Sequence, residues 1–166
     1  MFSIKGIPTI LQYDTKFQDI KFKNNTTLKS YGCCVMSMSM IIAYMLKATP
    51  DKFRQIVKDV VLNGTNENGD VTYLPMVVLG QKFKCTMAPD AFACVQKGIP
   101  AILRVKKNSF SHYVVFNEAE AGAKFQDYKI IDSGFGQKTL GGLLKFAKAE
   151  NDVTAITKKF IIEKVV

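Results

Sequence analysis

The sequence predicts an α+β fold, with N-terminal helices packed on a C-terminal antiparallel sheet. Three observations predict it. Apolar residues recur at helical spacing in the first part of the chain, as in Phe53, Ile56, Val57 and Val60. After Gly98 the pattern changes to short β-branched and aromatic runs. Those runs follow one another with short connections, which suits antiparallel pairing, and the segregation of helices from strands is the α+β pattern.

The elements follow in order. Residues 1–30 are polar and broken, ending in Asn24-Asn25-Thr26-Thr27. Gly32 is followed by a helix-forming run over residues 33–46. Thr49-Pro50-Asp51 stops it and starts a second helix, because proline suits a first helical turn. Asn63-Gly64 ends that helix, and residues 66–70 are a loop. A third short helix is expected over residues 73–80, and a fourth over 91–97, ended by Gly98. Strands are expected over 100–105, 112–117 and 128–132. The last of these is followed by the turn Ser133-Gly134-Phe135-Gly136. A helix over 139–148 and a closing strand over 158–166 complete the chain.

Composition sets the bounds. At 166 residues and 18.5 kDa, with 48% hydrophobic and 22% charged residues, the chain reads as a single domain over residues 1–166. A chain of this size buries about two-thirds of its unfolded surface, enough for a core without staples. The longest apolar run, residues 35–46, is interrupted by Ser37 and Ser39, so no membrane span is expected. The N-terminus lacks a long apolar segment and a small-residue cleavage pattern. The reading is no signal peptide and a cytoplasmic protein, with a phage virion or non-classical export as alternatives.

Lysine and arginine number 23 against 14 acidic residues, a net charge of +9. Only Arg54 and Arg104 are arginines, and the lysines are scattered singly or in pairs. Specific base readout leans on arginine, so specific nucleic-acid binding is disfavoured. The lysines read as a solvated surface, with general attraction to an anionic polymer as the weaker alternative. The cysteines are Cys33, Cys34, Cys85 and Cys94, and the one histidine is His112. No Cys-x-x-Cys pair exists, and a single histidine cannot complete a Cys2His2 site, so no metal and no cofactor are expected. Buried thiols in a reducing compartment are the plain reading, and a Cys85–Cys94 bridge is the other.

Three of these residues can be assembled into a reactive set. Cys33 directly follows Gly32 and opens the long apolar helix, where the positive end of a helix dipole favours a thiolate. His112 begins a strong strand. Asp132 ends the next strand, just before a glycine-rich turn. Neighbouring antiparallel strands would bring His112 and Asp132 within reach, so a Cys–His–Asp relay can be built from three element ends. Each has a bland reading as well: a core thiol, a structural histidine, a turn aspartate.

The same residues resemble a known family. Gly32-Cys33-Cys34-Val35-Met36-Ser37-Met38-Ser39-Met40 is similar to the Gly-Cys-Gly-Val-Thr-Ser-Leu-Ala-Met motif of papain-like cysteine peptidases, in the branch related to bacteriocin-leader-processing peptidases. Gln12-Tyr13-Asp14-x-x-Phe17 resembles that branch's Gln-x-Asp-x-x-Trp. Gly98-Ile99-Pro100-Ala101-Ile102, then Ser111-His112-Tyr113-Val114-Val115, resemble its Gly-x-Pro-Val-Ile and His-Phe/Tyr-Val-Val segments. Lys129-Ile130-Ile131-Asp132-Ser133-Gly134 is similar to its Ile-x-Asp-Pro-Gly. The resemblance runs from about Gln12 to Val166.

It implies a papain-like cysteine peptidase fold and roles for four residues. Cys33 would attack a carbonyl carbon. His112 would take the thiol proton and return it to the leaving amine. Asp132 would hold the imidazole. The Gln12 amide and the Cys33 backbone N–H would form the oxyanion hole. The substrate would be a peptide or protein. Three positions depart from the pattern: Cys34 stands for Gly, Thr or Ala, Phe17 for Trp and Ser133 for Pro. Cys34 reads as a buried structural thiol or as a disulfide partner that disarms the site, and the methionines of the helix read as core filling. Two alternatives stay open. One is a catalytically silent peptidase-like module used for binding or structure. The other is an amidase or endopeptidase acting on cell-wall peptides, favoured by the charge. Richness in Lys, Asn, Ile and Phe points to an AT-rich genome, a low-GC bacterium or its phage.

Overall fold

The computed structural model describes residues 2–166. In chain order the elements are β1 (Phe2–Ser3), α1 (Leu28–Tyr31), α2 (Cys33–Met45), α3 (Pro50–Asn63), β2 (Met76–Val78), β3 (Gln81–Met87), α4 (Ala91–Gln96), β4 (Ala101–Lys107), β5 (Phe110–Ala119), β6 (Lys129–Ile131), α5 (Leu140–Phe146) and β7 (Ile156–Lys164), with 3-10 turns at Thr15–Phe17, Phe125–Asp127 and Val153–Ala155. The class is α+β, and the strand registers are antiparallel. The chain divides into two compact units. A sheet unit holds the chain up to Lys5 with Met87–Ile161, and a helical unit holds Gly6–Thr86 with Ile162–Val166.

In the helical unit, α2 is apolar almost all round, and its residues from Cys34 to Ala43 are buried. Such a helix sits inside its unit instead of on its surface. Its neighbour α3 is amphipathic: Pro50 occupies the first turn after Thr49, and Ile56, Val57 and Val60 form the buried face. Gly64 ends α3 with φ of −101°, which any residue can adopt. Its glycine answers to space, since a Cβ there would lie 2.8 Å from Met76 Sδ and 2.9 Å from Met38 Cε. The loop before α1 buries Ile10, Phe17, Ile20 and Phe22. Arg54 on α3 holds that loop through the Asp19 carboxylate, at 2.5–2.9 Å, and the Lys16 carbonyl.

The expected helix over residues 73–80 is not formed. That stretch ends in a hairpin, with Met76 opposite Phe83 and Val78 opposite Gln81. The two turn residues, Leu79 and Gly80, both have positive φ, 48° and 75°. This is the handedness a two-residue hairpin needs. Leucine rarely takes it. Here the Leu79 amide donates to Asp59 Oδ2 of α3 at 2.9 Å, and Asn63 Nδ2 reaches the Val77 carbonyl at 3.3 Å. Tertiary hydrogen bonds from α3 therefore impose the turn, and nothing local announces them.

In the sheet unit, β5 is the hub. It pairs with β1, β4 and β6, and β4 pairs onward with β7. Tyr113–Phe116 are buried in succession, the pattern of a strand covered on both faces. The 91–97 helix forms as α4, capped by Asp90, whose carboxylate accepts from the Ala93 amide at 2.9 Å. The helix expected over 139–148 is α5, capped by the Thr139 hydroxyl. Strand β5 starts two residues before the expected strand and β7 starts at Ile156, before the expected 158. The broken N-terminal stretch supplies β1, which pairs Phe2 with Ala119. Among the described residues no helix is long and apolar enough to cross a membrane.

Candidate active site

His112 lies on β5 opposite Val105 of β4. On its other side β6 pairs with β5, with Ile131 opposite Val115. One residue further, Asp132 leaves the strand, and His112 takes the diagonal cross-strand position, which long side chains can bridge. His112 Nε2 lies 2.6 Å from Asp132 Oδ1, and both side chains are buried.

The Ser133–Gly136 turn curls its backbone around the Asp132 carboxylate. Oδ1 also accepts the Gly134 and Phe135 amides at 2.9 and 3.1 Å, and Oδ2 accepts the Gln137 amide at 3.1 Å. Burial pushes this carboxyl up. The His112 hydrogen bond and attraction, with the Gly134 and Phe135 amides, outweigh burial and hold it below its ordinary value of 3.8. Asp132 is therefore an ionised, acceptor-only group at neutral pH. The hydrogen on Nε2 then points at the Asp132 carboxylate, an assignment that follows from the acceptor, and Nδ1 is the ring's other nitrogen.

No pattern in the sequence marks the aromatic rings around this pair. The Phe135 ring centroid is 4.6 Å from that of His112, inclined at 62°, and Phe110 lies 6.2 Å from it. Phe135 also packs on Phe146 at 4.7 Å, and Phe110 touches both. The three phenylalanines come from β5, the turn after Asp132 and α5, so no sequence spacing links them.

Cys33 and Gln12 belong to the helical unit. Cys33 is the first residue of α2 and half-buried, and Gly32 is its N-cap. Cys34 is fully buried, its thiol 3.8 Å from Met38 Sδ one turn along the helix. Successive positions on a helix face different ways, which separates the two adjacent thiols into one half-exposed and one in the core. Gln12 is buried, and its Nε2 donates to the Lys29 carbonyl of α1 at 2.8 Å. That bond uses one of the two amide hydrogens. Its Oε1 meets no hydrogen-bond partner among the described residues.

All four cysteines are thiols. Burial pushes the Cys85 thiol up to about 12. Cys85 is expected to resist alkylation at neutral pH until the protein unfolds, which mass mapping of iodoacetamide adducts with and without denaturant would show. Among the described residues no group of three or more His, Cys, Asp or Glu side chains could hold a metal. Compared with protein-family models, with curated proteins and with solved structures, the chain matches none.

Proposed function

We propose that this protein is a cysteine peptidase that hydrolyses a peptide or amide bond through Cys33, His112 and Asp132, with Gln12 in the oxyanion hole. The observation that carries the reading is the buried His112–Asp132 pair. A carboxylate held by three backbone amides fixes the imidazole with Nε2–H toward Asp132, so Nδ1 is the atom that can accept a proton. Titratable groups with shifted pKa values, paired in a buried position, cluster at functional sites, and an oriented imidazole is what a general base needs. Cys33 at the first turn of α2 supports the same reading.

In the proposed reaction the Cys33 thiol passes its proton to His112 Nδ1, and the sulfur attacks the substrate carbonyl carbon. The oxyanion takes hydrogen bonds from the Cys33 backbone N–H and the second Gln12 amide hydrogen. The imidazolium then protonates the leaving amine, and water resolves the thioester by the same route in reverse. Losing one oxyanion donor in such a site costs about 10²–10³ in rate, the effect expected of Gln12→Ala. The net charge of +9 favours substrates carried by an anionic polymer, so purified cell wall is tested beside soluble peptides.

The test compares hydrolysis by the wild type, Cys33→Ala and Cys34→Ala. Cys33→Ala is expected to lower the rate by a factor on the order of 10⁴ or more, and Cys34→Ala to retain activity. Hydrolysis that survives Cys33→Ala would remove Cys33 from its role. A folded wild type inactive on both substrates would favour a silent binding module. Independently, 1,3-dibromoacetone should bridge Cys33 to His112. Brief iodoacetamide at mildly acidic pH should label Cys33 ahead of the other three cysteines, and even labelling would count against the proposal.

A further inference from the structure

A second concave site lies within the sheet unit, apart from the His112–Asp132 pair. Strand register sets its floor. Leu103 of β4 lies opposite Lys159 of β7, and Ala101, on the same face of β4, lies opposite Phe116 of β5. Leu103 and Phe116 are buried, and Leu140 of α5 joins them. One wall is aromatic. Tyr128 stacks on Phe116, with centroids 4.5 Å apart and planes 6° from parallel, and on Phe92 of α4 at 5.7 Å and 19°. With Phe125, Val153 and Ile156, these side chains line a cavity of about 160 Å³. Protein interiors leave few gaps larger than a water molecule. A cavity of about 150 Å³ with walls of this kind accepts a benzene ring.

Two opposite charges stand at its mouth. Asp90 is exposed, Lys159 is half-buried, and both line the cavity. Asp90 Oδ1 accepts the Ala93 amide at 2.9 Å, and a carboxylate has further lone pairs to offer. Lys159 Nζ donates to the carbonyl of Pro89, the residue next to Asp90, at 3.3 Å, which uses one of its three hydrogens. The carboxylate is felt inside the cavity: burial first, and the Asp90 charge second, raise the Tyr128 phenol above its ordinary value of 10.0. We propose that this pocket binds a free α-amino acid with an apolar side chain, the side chain on Leu103, Phe116 and Leu140, the ammonium on Asp90 and the carboxylate on Lys159.

The charges decide between possible guests. A purely apolar molecule would fill the cavity and give neither charge a role. A residue inside a peptide has no charge at its α-nitrogen or its carbonyl, since both are amides. Only the free zwitterion matches the recess and both groups at its mouth. The inference goes beyond the peptidase reading and does not rest on it. Phe116 lies four residues from His112, about 13 Å along β5.

NMR titration of methyl-labelled protein with L-phenylalanine reads place and affinity together. Ring currents from the bound phenyl group are expected to move the Leu103, Leu140, Val153 and Ile156 methyl signals, with saturation below about 10 mM. N-acetylphenylalanine lacks the ammonium and phenylalaninamide lacks the carboxylate. Each is expected to bind about fivefold more weakly. Two variants assign the charges. Asp90→Asn keeps the cap of α4, because asparagine caps as well as aspartate. It should weaken phenylalanine and phenylalaninamide by about fivefold and leave N-acetylphenylalanine no weaker. Lys159→Gln should weaken phenylalanine and N-acetylphenylalanine and leave phenylalaninamide no weaker.

No saturable shift in the wild type would overturn the proposal. Shifts confined to methyl groups outside this cavity would do the same. Equal affinity for the three ligands would reduce the pocket to a plain apolar recess and overturn it as well. So would ligand preferences that neither variant alters.

Discussion

Gly32→Ala is expected to destabilise the protein by about 2–4 kcal/mol, at the upper end of what overpacking costs. A Cβ at position 32 would sit 2.2 Å from the Leu28 carbonyl oxygen and 2.9 Å from the Leu28 Cα and carbonyl carbon. These are backbone atoms, so no side-chain rotation relieves the clash. Leu28 is fully buried, which prevents α1 from backing away cheaply. The residue is also the joint between two helices: its amide donates to Leu28 O at 2.7 Å, closing α1, and its carbonyl accepts from Met36 at 2.8 Å, opening α2. Any shift at Gly32 moves Cys33, the next residue. Displacements near 1 Å cost on the order of 100-fold in rate, so proposed activity should fall by at least that much. Thermal unfolding would check it, with a lower melting temperature by about 5–15 °C. Gly122→Ala is the control. Its φ is +74° but nothing lies within 4 Å of the new Cβ, so only about 1–2 kcal/mol of backbone strain is expected.

Asp132→Ala is expected to cost about 3–5 kcal/mol and most of the proposed activity. The substitution removes the acceptor for His112 Nε2–H and for three backbone amides, and leaves a cavity where the carboxylate was. Hydrogen bonds to a charged group contribute about 1.5–3 kcal/mol each, and orphaned buried donors carry the desolvation cost. The imidazole would lose the group that sets its tautomer, and an activity loss of about 10²–10⁴ follows. Asp132→Asn should be milder in stability, because an amide oxygen replaces one acceptor. It separates the charge from the shape through pH. The folded carboxyl titrates below its ordinary value of 3.8, so in acid the unfolded chain binds more protons than the folded one. Stability from Asp132 is present above that ordinary value and is lost as pH falls below it, through the lowered folded value. Asp132→Asn should flatten this part of the acid dependence of the unfolding free energy. An unchanged slope would show that Asp132 is not held ionised as described.

Cysteine 33 and histidine 112 illustrate how far a site can be read from a chain. Gly32 ahead of Cys33 and the apolar run after it mark a helix start. Consecutive β-rich runs pair antiparallel, which brings His112 and Asp132 within reach of each other. In each case the signal is local or depends only on neighbouring strands. The 73–80 stretch shows the opposite. Its apolar residues are spaced like a helix, but the Leu79 amide is captured by Asp59, twenty residues away, and the hairpin wins. The phenylalanine cluster is of the same kind, since contacts between β5, a turn and α5 leave no periodicity to detect.

Residue order alone therefore determined the α+β class, the helices that begin at Cys33 and Pro50, and the identity of the few side chains able to do nucleophilic chemistry. Those features come from periodicity, capping and reactivity, which act over one or two turns of chain. Folding in three dimensions decided the rest: the amides that keep Asp132 ionised, the burial that separates Cys34 from Cys33, and the clearance that forbids a methyl group at Gly32. The burial of Cys34 and the His112 hydrogen bond to Asp132 depend on groups remote in sequence that packing brings together, whereas the amides around Asp132 and the Leu28 backbone beside Gly32 are sequence neighbours whose distances follow from a backbone conformation that no residue pattern displays.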